Sequence, residues 1–475
     1  MTDDGRAYPL PDSLNHWVAT QRWFTDKGRV PRLVSIGRWE LPTPEAGVDI
    51  RTELIVDADA ATRTLYQLPL TQRATPLPGG EQALIMTLVD GSTVYDGTAD
   101  PAYCRALLRF ILGEASSPES GNLGARARGE LLAGADPTPR PARVVASSVL
   151  SGEQSNTSII LHCVDATGHP ARPIICKVFR MLHPGENPDV SVQSALARAG
   201  SHFVPDPVGC VVGEWTDPEQ TGTPLMGHLV FAQEFLPGAP DAWRAALASA
   251  GAGEDFTEQA RALGVATAAV HADLAAVMPT HDATAAVIAT ELGRMRERYR
   301  SAAAEVPALR GYDTAVEAVF ARAETAHWPR LQRIHGDFHL GQTLEVPGRG
   351  WVLVDFEGEP MRPLVDRTQP DVPLKDIAGM LRSFAYVAGT VERSSPDHLT
   401  ATAEEWAAAC RQAFLDGYAE RSGQSLAGQE PLLDAFELDK ALYEAVYETR
   451  NRPTWLPIPL AAIHALALEL SAGLP

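Results

Sequence analysis

The spacing of apolar residues divides the chain into a strand-patterned first half and a helix-patterned second half. Up to about Asp96, short apolar stretches such as Leu54-Ile55-Val56 and Leu65-Tyr66-Gln67-Leu68 are punctuated by Pro and Gly, the rhythm of a small sheet-rich unit. Residues 17–24 read as a short amphipathic helix, 101–112 as a second helix, and 116–129, rich in Ser and Gly, as a loop. Strand-like runs follow at 144–146, 158–162, 174–179 and 229–231, with a helix at 190–199 between them. Beyond Pro240 the chain turns Ala-rich and helical, except at 336–355, where two short apolar stretches flank a loop. A strand-rich block followed by a helix-rich block predicts an α+β protein with segregated lobes. The expected parts are 1–96, 97–236 and 237–475.

Composition narrows the function. With 475 residues, 45% hydrophobic and 21% charged, the chain can build two or three packed units. A formal net charge of −20 lacks the basic footprint of a non-specific nucleic-acid binder, so no nucleic-acid partner is expected. A few placed cations can still hold phosphates in an acidic protein. The polar segment 1–15 has no apolar leader core, and the apolar stretch 456–474 is broken by Pro457, Pro459, His464 and Glu469. Neither a signal peptide nor a membrane span is expected, and the expected location is the cytoplasm. Five scattered cysteines without CxxC spacing fit reduced thiols.

The chemistry concentrates in Arg333-Ile334-His335-Gly336-Asp337-Phe338-His339-Leu340-Gly341-Gln342 and, about a strand later, Trp351-Val352-Leu353-Val354-Asp355-Phe356-Glu357. Phosphoryl transfer needs a carboxylate to accept the attacking hydroxyl's proton and oxygen ligands to fix magnesium on the phosphates. Asp337, on a Gly-preceded loop, is the candidate base. Gln342, five residues on, offers an amide oxygen, and Asp355, at the end of an apolar strand, a second hard oxygen ligand for Mg2+.

On the nucleotide side, Ser155, Asn156, Thr157 and Ser158 lie between two apolar stretches, as a strand–turn–strand cover over phosphates would. A hairpin turn in general carries the same pattern. Lys177 is more telling, because a charge in the middle of the apolar run Ile174–Phe179 is costly unless paired. The ATP phosphates would pair it. Gln233, Glu234 and Leu236 follow an apolar strand as an adenine-binding hinge does.

The HGDxH core is similar to that of the aminoglycoside phosphotransferase and choline kinase superfamily, where Asn is usual at the place of Gln342. The HGDxHLGQ form resembles the maltokinases. So do 355–360, the stretch 373–384, the stretch 443–453, the EQSNTS segment at 153–158 and the Gln21-Arg22-Trp23-Phe24 element. The resemblance implies a two-lobed protein-kinase-like fold with an N-terminal β-rich cap domain at 1–96. An ATP-covering lobe would lie within 97–236, and a helical lobe at 237–475 would carry the catalytic loop and acceptor site. It implies ATP and Mg2+ as cofactors and transfer of the γ-phosphate to the anomeric hydroxyl of maltose, with a functional link to trehalose and α-glucan enzymes. Kinases of this type hold the phosphate-binding Lys with a Glu, but Ser191 stands at that place here, leaving Asp189, Glu186 or no partner for Lys177.

For the acceptor, Glu444, Tyr447 and Glu448 fall on one face of a helix expected at 431–449. Two carboxylates at i, i+4 repel and want a compensating partner; sugar hydroxyls are one, and a solvated ion-pair network with Lys440 and the nearby arginines is another. His335, Arg382 and Arg450 complete the sugar-site candidates. A related kinase acting on another sugar, such as glucosamine, and a nucleotide-binding pseudokinase are the alternatives.

Overall fold

The computed structural model describes residues 7–118, 124–132, 141–150, 156–217, 223–359, 362–394 and 400–471. The chain forms two compact units: Met1–Gly200 with Pro205–Pro237, and Ser201–Val204 with Gly238–Pro475. The α+β class and its segregation of strands and helices are as the apolar rhythm predicts.

The first unit holds two antiparallel sheets. One has seven strands, ordered Tyr8–Pro9, Leu33–Glu40, Val48–Asp57, Leu65–Arg73, Thr93–Asp96, Leu84–Thr87, with Met181–Leu182 also pairing Leu65–Arg73. A helix at Asp12–Thr20 covers it through Leu14 and Val18; beyond the helix, Trp23 and Phe24 stand in a turn and pack their rings on Tyr66. The helix expected over 17–24 thus starts five residues earlier and ends four residues earlier. The second sheet runs Ala125–Leu131, Pro207–Trp215, Leu225–Glu234, Ile174–Phe179, Asn156–Val164, Arg143–Val149. Within the expected loop 116–129, Ala125–Leu131 is a strand, because Gly129 lets it approach the Phe110 carbonyl, where a Cβ would sit 2.3 Å away.

Two buried polar side chains join these sheets. Gln67 donates its amide to the carbonyl oxygens of Phe179 and Leu229, at 2.7 and 2.5 Å. Arg180, fully buried, donates to Asp96 at 2.7 Å, to Thr98 at 3.0 Å and to Thr157 at 2.8 Å, with its guanidinium over the Trp23 ring. A buried guanidinium is tolerated only when paired and hydrogen-bonded in this way.

The second unit is helical apart from the hairpin Thr343–Val346 and Gly350–Leu353. Its centre is the crossing of Thr257–Val277 with Thr400–Ser422, where backbones nearly touch. A Cβ on Gly264 would lie 2.1 Å from the Phe414 carbonyl oxygen, and one on Gly417 2.1 Å from that of Arg261. Thr257–Val277 is long and apolar enough to cross a membrane by composition, a helix the apolar spacing alone does not single out; over half of its most apolar window is buried. The Leu374–Ser394 helix buries Leu374, Ile377, Ala378 and Leu381.

The two glycines at the crossing give a direct check. Gly264→Val and Gly417→Val should each lower stability by about 1–3 kcal/mol or more, as overpacking does, measured by thermal or urea unfolding. Unchanged unfolding in both would show that the helices separate at no cost.

Candidate active site

The candidate catalytic loop, 335–342, is seated on one face of the Leu374–Ser394 helix. Asp376, 1% exposed, accepts from the backbone N–H groups of His335 (2.8 Å, Oδ2) and Gly336 (2.9 Å, Oδ1). One turn on, Gly379 leaves room for the Phe338 carbonyl oxygen, 2.4 Å from where a Cβ would be. A further turn on, Ser383 accepts from the Leu340 N–H at 3.1 Å. Positions 376, 379 and 383 share a helix face, so one stripe fixes the loop backbone. Asp376 is itself braced by His271, whose Nε2 lies 3.0 Å away; the His271 Nδ1 lies 3.0 Å from the Tyr418 hydroxyl. The Gly264 and Gly417 crossing places those two residues. Gly336 takes φ +85°, open to Gly at no steric cost.

His335 does not face an acceptor. It is 2% exposed, its Nε2 lies 2.9 Å from the Val354 carbonyl oxygen, and its ring packs on Phe338 and Phe356. Its expected place in the sugar site is therefore corrected to a clamp between the loop and the strand that leads to Asp355.

Asp337 projects the other way, to a pocket of about 200 Å³ within this unit, lined among others by Glu359, Arg298, Asp366, Asp439, Lys440 and Tyr443. Lys440 donates to Asp337 Oδ1 at 3.1 Å and lies 3.7 Å from Glu359. Burial presses the Asp337 carboxyl upward, but the Lys440 ammonium, with His339 and His335, outweighs it and holds the group below the usual carboxylate range. His339, also buried, is held below the usual histidine range by its own desolvation, so it is neutral near pH 7.

Gln342 and Asp355 meet: the amide of Gln342 donates to Asp355 Oδ2 at 3.0 Å. Asp355 has φ +70°, a left-handed conformation that costs a non-Gly residue about 1 kcal/mol or more. Such outliers persist where the surroundings impose them and gather at functional sites. Among the described residues there is no group of three or more His, Cys, Asp or Glu to cage a metal. A carboxylate with a side-chain amide at hand, turned to present its oxygen, would suit a hard cation that takes its remaining ligands from phosphate and water, so the residue types fit magnesium.

In the first unit, Lys177 is buried in its strand and donates to Asp189 at 2.6 Å. Asp189 stands in the first turn of the Pro188–Arg198 helix, where the helix dipole favours its charge, and accepts a second bond from Gln193. Asp189 thus supplies the carboxylate that Ser191 cannot, which removes the motive for a pseudokinase. Strand register puts Ser158 directly opposite Lys177, and Asn156 opposite Phe179, on one sheet face; Gln233, opposite Ile175, joins them. Thr157 belongs to the other face, where Arg180 holds its hydroxyl, so its side chain is corrected away from the nucleotide. Glu234 turns its carboxylate toward Arg172 and the Asp206 N–H, and Leu236, just past the strand end, is half-buried. Ser155 lies outside the described residues.

The acceptor helix is Glu430–Asn451, and here most of the expected sugar contacts are corrected. Arg382, 3% exposed, gives two hydrogen bonds to Glu444 Oε2, at 3.0 and 2.8 Å. Glu448, 1% exposed, accepts from Arg452 at 2.9 and 2.6 Å and from the Tyr386 hydroxyl at 3.1 Å. The compensating partners of the two carboxylates are arginines. Arg450 forms a surface pair with Glu305, and Tyr447, 40% exposed, stacks on Tyr443 outside the pocket lining. The residues beside Asp337 that the sequence reading missed are Asp376, Glu359, Tyr443 and Lys440. Lys440, one member of the solvated network that the sequence offers as an alternative, bonds the candidate base.

Residues 17–100 match the maltokinase N-terminal cap domain and residues 189–423 the phosphotransferase enzyme family. A glucosamine kinase of Streptacidiphilus jiangxiensis is 32% identical over 324 residues, covering 65% of this chain and 70% of the relative. One of Mycolicibacterium smegmatis is 29% identical over 335 residues, covering 67% of this chain and 78% of that protein. The solved structure of a glucosamine kinase in complex with glucosamine, ADP and inorganic phosphate superposes with a TM-score of 0.63 over 97% of this chain and 99% of that one, at 24% identity. The fold is therefore that of a capped kinase of this type. The loop built around Asp337, the Lys177–Asp189 pair and the match to curated relatives converge: the chain belongs to the phosphotransferase enzyme family, as an ATP-dependent phosphotransferase with a sugar acceptor.

Proposed function

We propose that the chain transfers the ATP γ-phosphoryl group to a hydroxyl of a small amino sugar, with glucosamine as the first candidate acceptor. The pocket beside Asp337 carries this reading. Its volume of about 200 Å³ is modest, and its wall offers the carboxylates of Glu359 and Asp366 to an ammonium group. The curated relatives named glucosamine kinase support the same acceptor. Maltose is the second reading, favoured by the HGDxHLGQ loop and the match of 17–100 to the maltokinase cap domain.

In this reading Asp337 orients the acceptor hydroxyl and takes its proton. Lys177, held by Asp189, pairs with the ATP phosphates, with Ser158 and Asn156 on the same sheet face. Gln342 and Asp355 would hold magnesium, whose charge when bound offsets that of the phosphates. Tyr443, which lines the pocket, takes the place of Tyr447 as the aromatic residue beside the sugar.

Supplied with ATP and a panel of sugars, the protein should phosphorylate glucosamine, read by phosphorus NMR of the product. Turnover of maltose with none of glucosamine would replace the amino-sugar reading by the second. Asp337→Asn should lose about a hundredfold or more in kcat, as loss of a general base does, with ATP affinity near wild type. Retention of activity within about tenfold, short of that loss, would remove Asp337 from the role. Asp355→Ala should weaken magnesium-dependent nucleotide binding more than Gln342→Ala, since a charged oxygen holds a hard cation better than a neutral one. Calorimetry with and without magnesium checks this, and equal tolerance of both changes would contradict it. Asp189→Asn should raise the KM for ATP about tenfold, the scale of one charged hydrogen bond, and leave the sugar KM unchanged. A rise in both would mark a general loss of structure.

A further inference from the structure

We propose that Lys440 is a positioning residue for the phosphoryl transfer, holding Asp337 ionised through one carboxylate oxygen and aimed into the acceptor pocket, so that its other oxygen meets the sugar hydroxyl. The inference rests on the reading of Asp337 as the base and concerns a residue 103 positions away in sequence.

The geometry is specific. The Lys440 ammonium is 3.1 Å from Asp337 Oδ1, 3.7 Å from Glu359 and 5.1 Å from the centre of the Tyr443 ring. An ammonium has three donors and no acceptor, so the two carboxylates and the ring face account for its directions. Lys440 and Asp337 are each about one quarter exposed as side chains and line the same pocket. Only one Asp337 oxygen is bonded to Lys440, which leaves the carboxylate anchored while its other edge meets the acceptor.

The other charges around Asp337 leave this role to Lys440. On its own loop, His339 and His335 add to the pull on the Asp337 carboxyl, but less than the Lys440 ammonium does, and His335 is bonded to Val354. On the pocket wall, Arg298 is paired with Asp439 at 2.8 Å, Lys375 with Glu291 and Asp371, and Arg362 with Asp371. Arg294 lies 3.7 Å from Glu291. Glu359 and Asp366 are acidic and cannot stabilise a neighbouring carboxylate's charge, and Tyr443 is held protonated, with its hydroxyl pushed up to about 12. Burial works against the charge on Lys440, but Asp337, Glu359 and Glu444 hold its pKa above the usual lysine range, so it stays charged throughout the working pH.

The sign of the effect follows. An opposite charge within about 4–6 Å lowers a carboxyl pKa by roughly 1–3 units; without Lys440 the burial of Asp337 would raise it, and less base would be ionised at low pH. The test is the pH profile of kcat/KM for the sugar, in wild type, Lys440→Met and Lys440→Arg, with Asp337→Asn as reference. Lys440→Met should move the acidic limb upward by about one unit or more and lower kcat, with the KM for ATP unchanged. Lys440→Arg, which keeps the charge, should restore the limb. An unmoved limb in a folded Lys440→Met protein would overturn the proposal, as would a loss that Lys440→Arg shares in full. If Asp337→Asn retains activity, the base assignment fails instead, whatever Lys440 does.

Discussion

The Asp376 carboxylate is the interaction on which the site depends. It is buried, it accepts two backbone N–H bonds from the catalytic loop, and it accepts a third from His271. Two amides pointing at one carboxylate fix the peptide planes on either side of His335, and so the start of the turn from which Asp337 projects. Everything that surrounds Asp376 serves to keep it there. The Gly264 and Gly417 crossing brings His271 and Tyr418 together, Gly379 admits the Phe338 carbonyl, and the His335 ring ties the loop to the strand ahead of Asp355. Hydrogen bonds to a charged group are worth about 1.5–3 kcal/mol each, enough to hold the loop that carries Asp337.

A second buried ion pair plays the corresponding part in the first unit. Lys177 sits inside an apolar strand, where an unpaired ammonium would be expelled or neutralised. Asp189 answers it from a helix N-terminus, two residues ahead of the place where a Glu was expected. The substitution works because the first turn of a helix favours a carboxylate and because Gln193, one turn on, holds it. What matters chemically is a fixed carboxylate within reach of the ammonium, and the chain supplies it from a different rung.

Much of this was legible in the sequence where the signal is local. The Ile174–Phe179 strand and the Pro101–Leu112 helix have the predicted bounds, and the catalytic loop, Gln342 and Asp355 lie together as their spacing implies. The strand Ala125–Leu131 was not legible, because its glycine, needed for close approach to Phe110, reads as loop composition. The strand Pro207–Trp215, with Pro207, Gly209 and Gly213, is hidden by the same signal. Pairings at long sequence separation were the real loss. The Glu444 and Glu448 spacing correctly demanded a compensating partner, but nothing local distinguishes a sugar from Arg382, 62 residues away, or Arg452 just beyond the expected helix. Lys440 looked like one more surface charge until the fold set it against Asp337.

The most direct test of the account is amide hydrogen exchange across residues 333–342 in Asp376→Asn, alongside turnover. The substitution keeps the size of the side chain but turns one acceptor into a donor facing a backbone N–H. Asp376→Asn should give faster exchange at His335 and Gly336, a loss of about ten- to a hundredfold in kcat, the kinetic equivalent of a charged hydrogen bond, and ATP affinity close to wild type. Unchanged exchange with unchanged turnover would show that the catalytic loop holds its shape without Asp376, and the account of the site would fail at its centre.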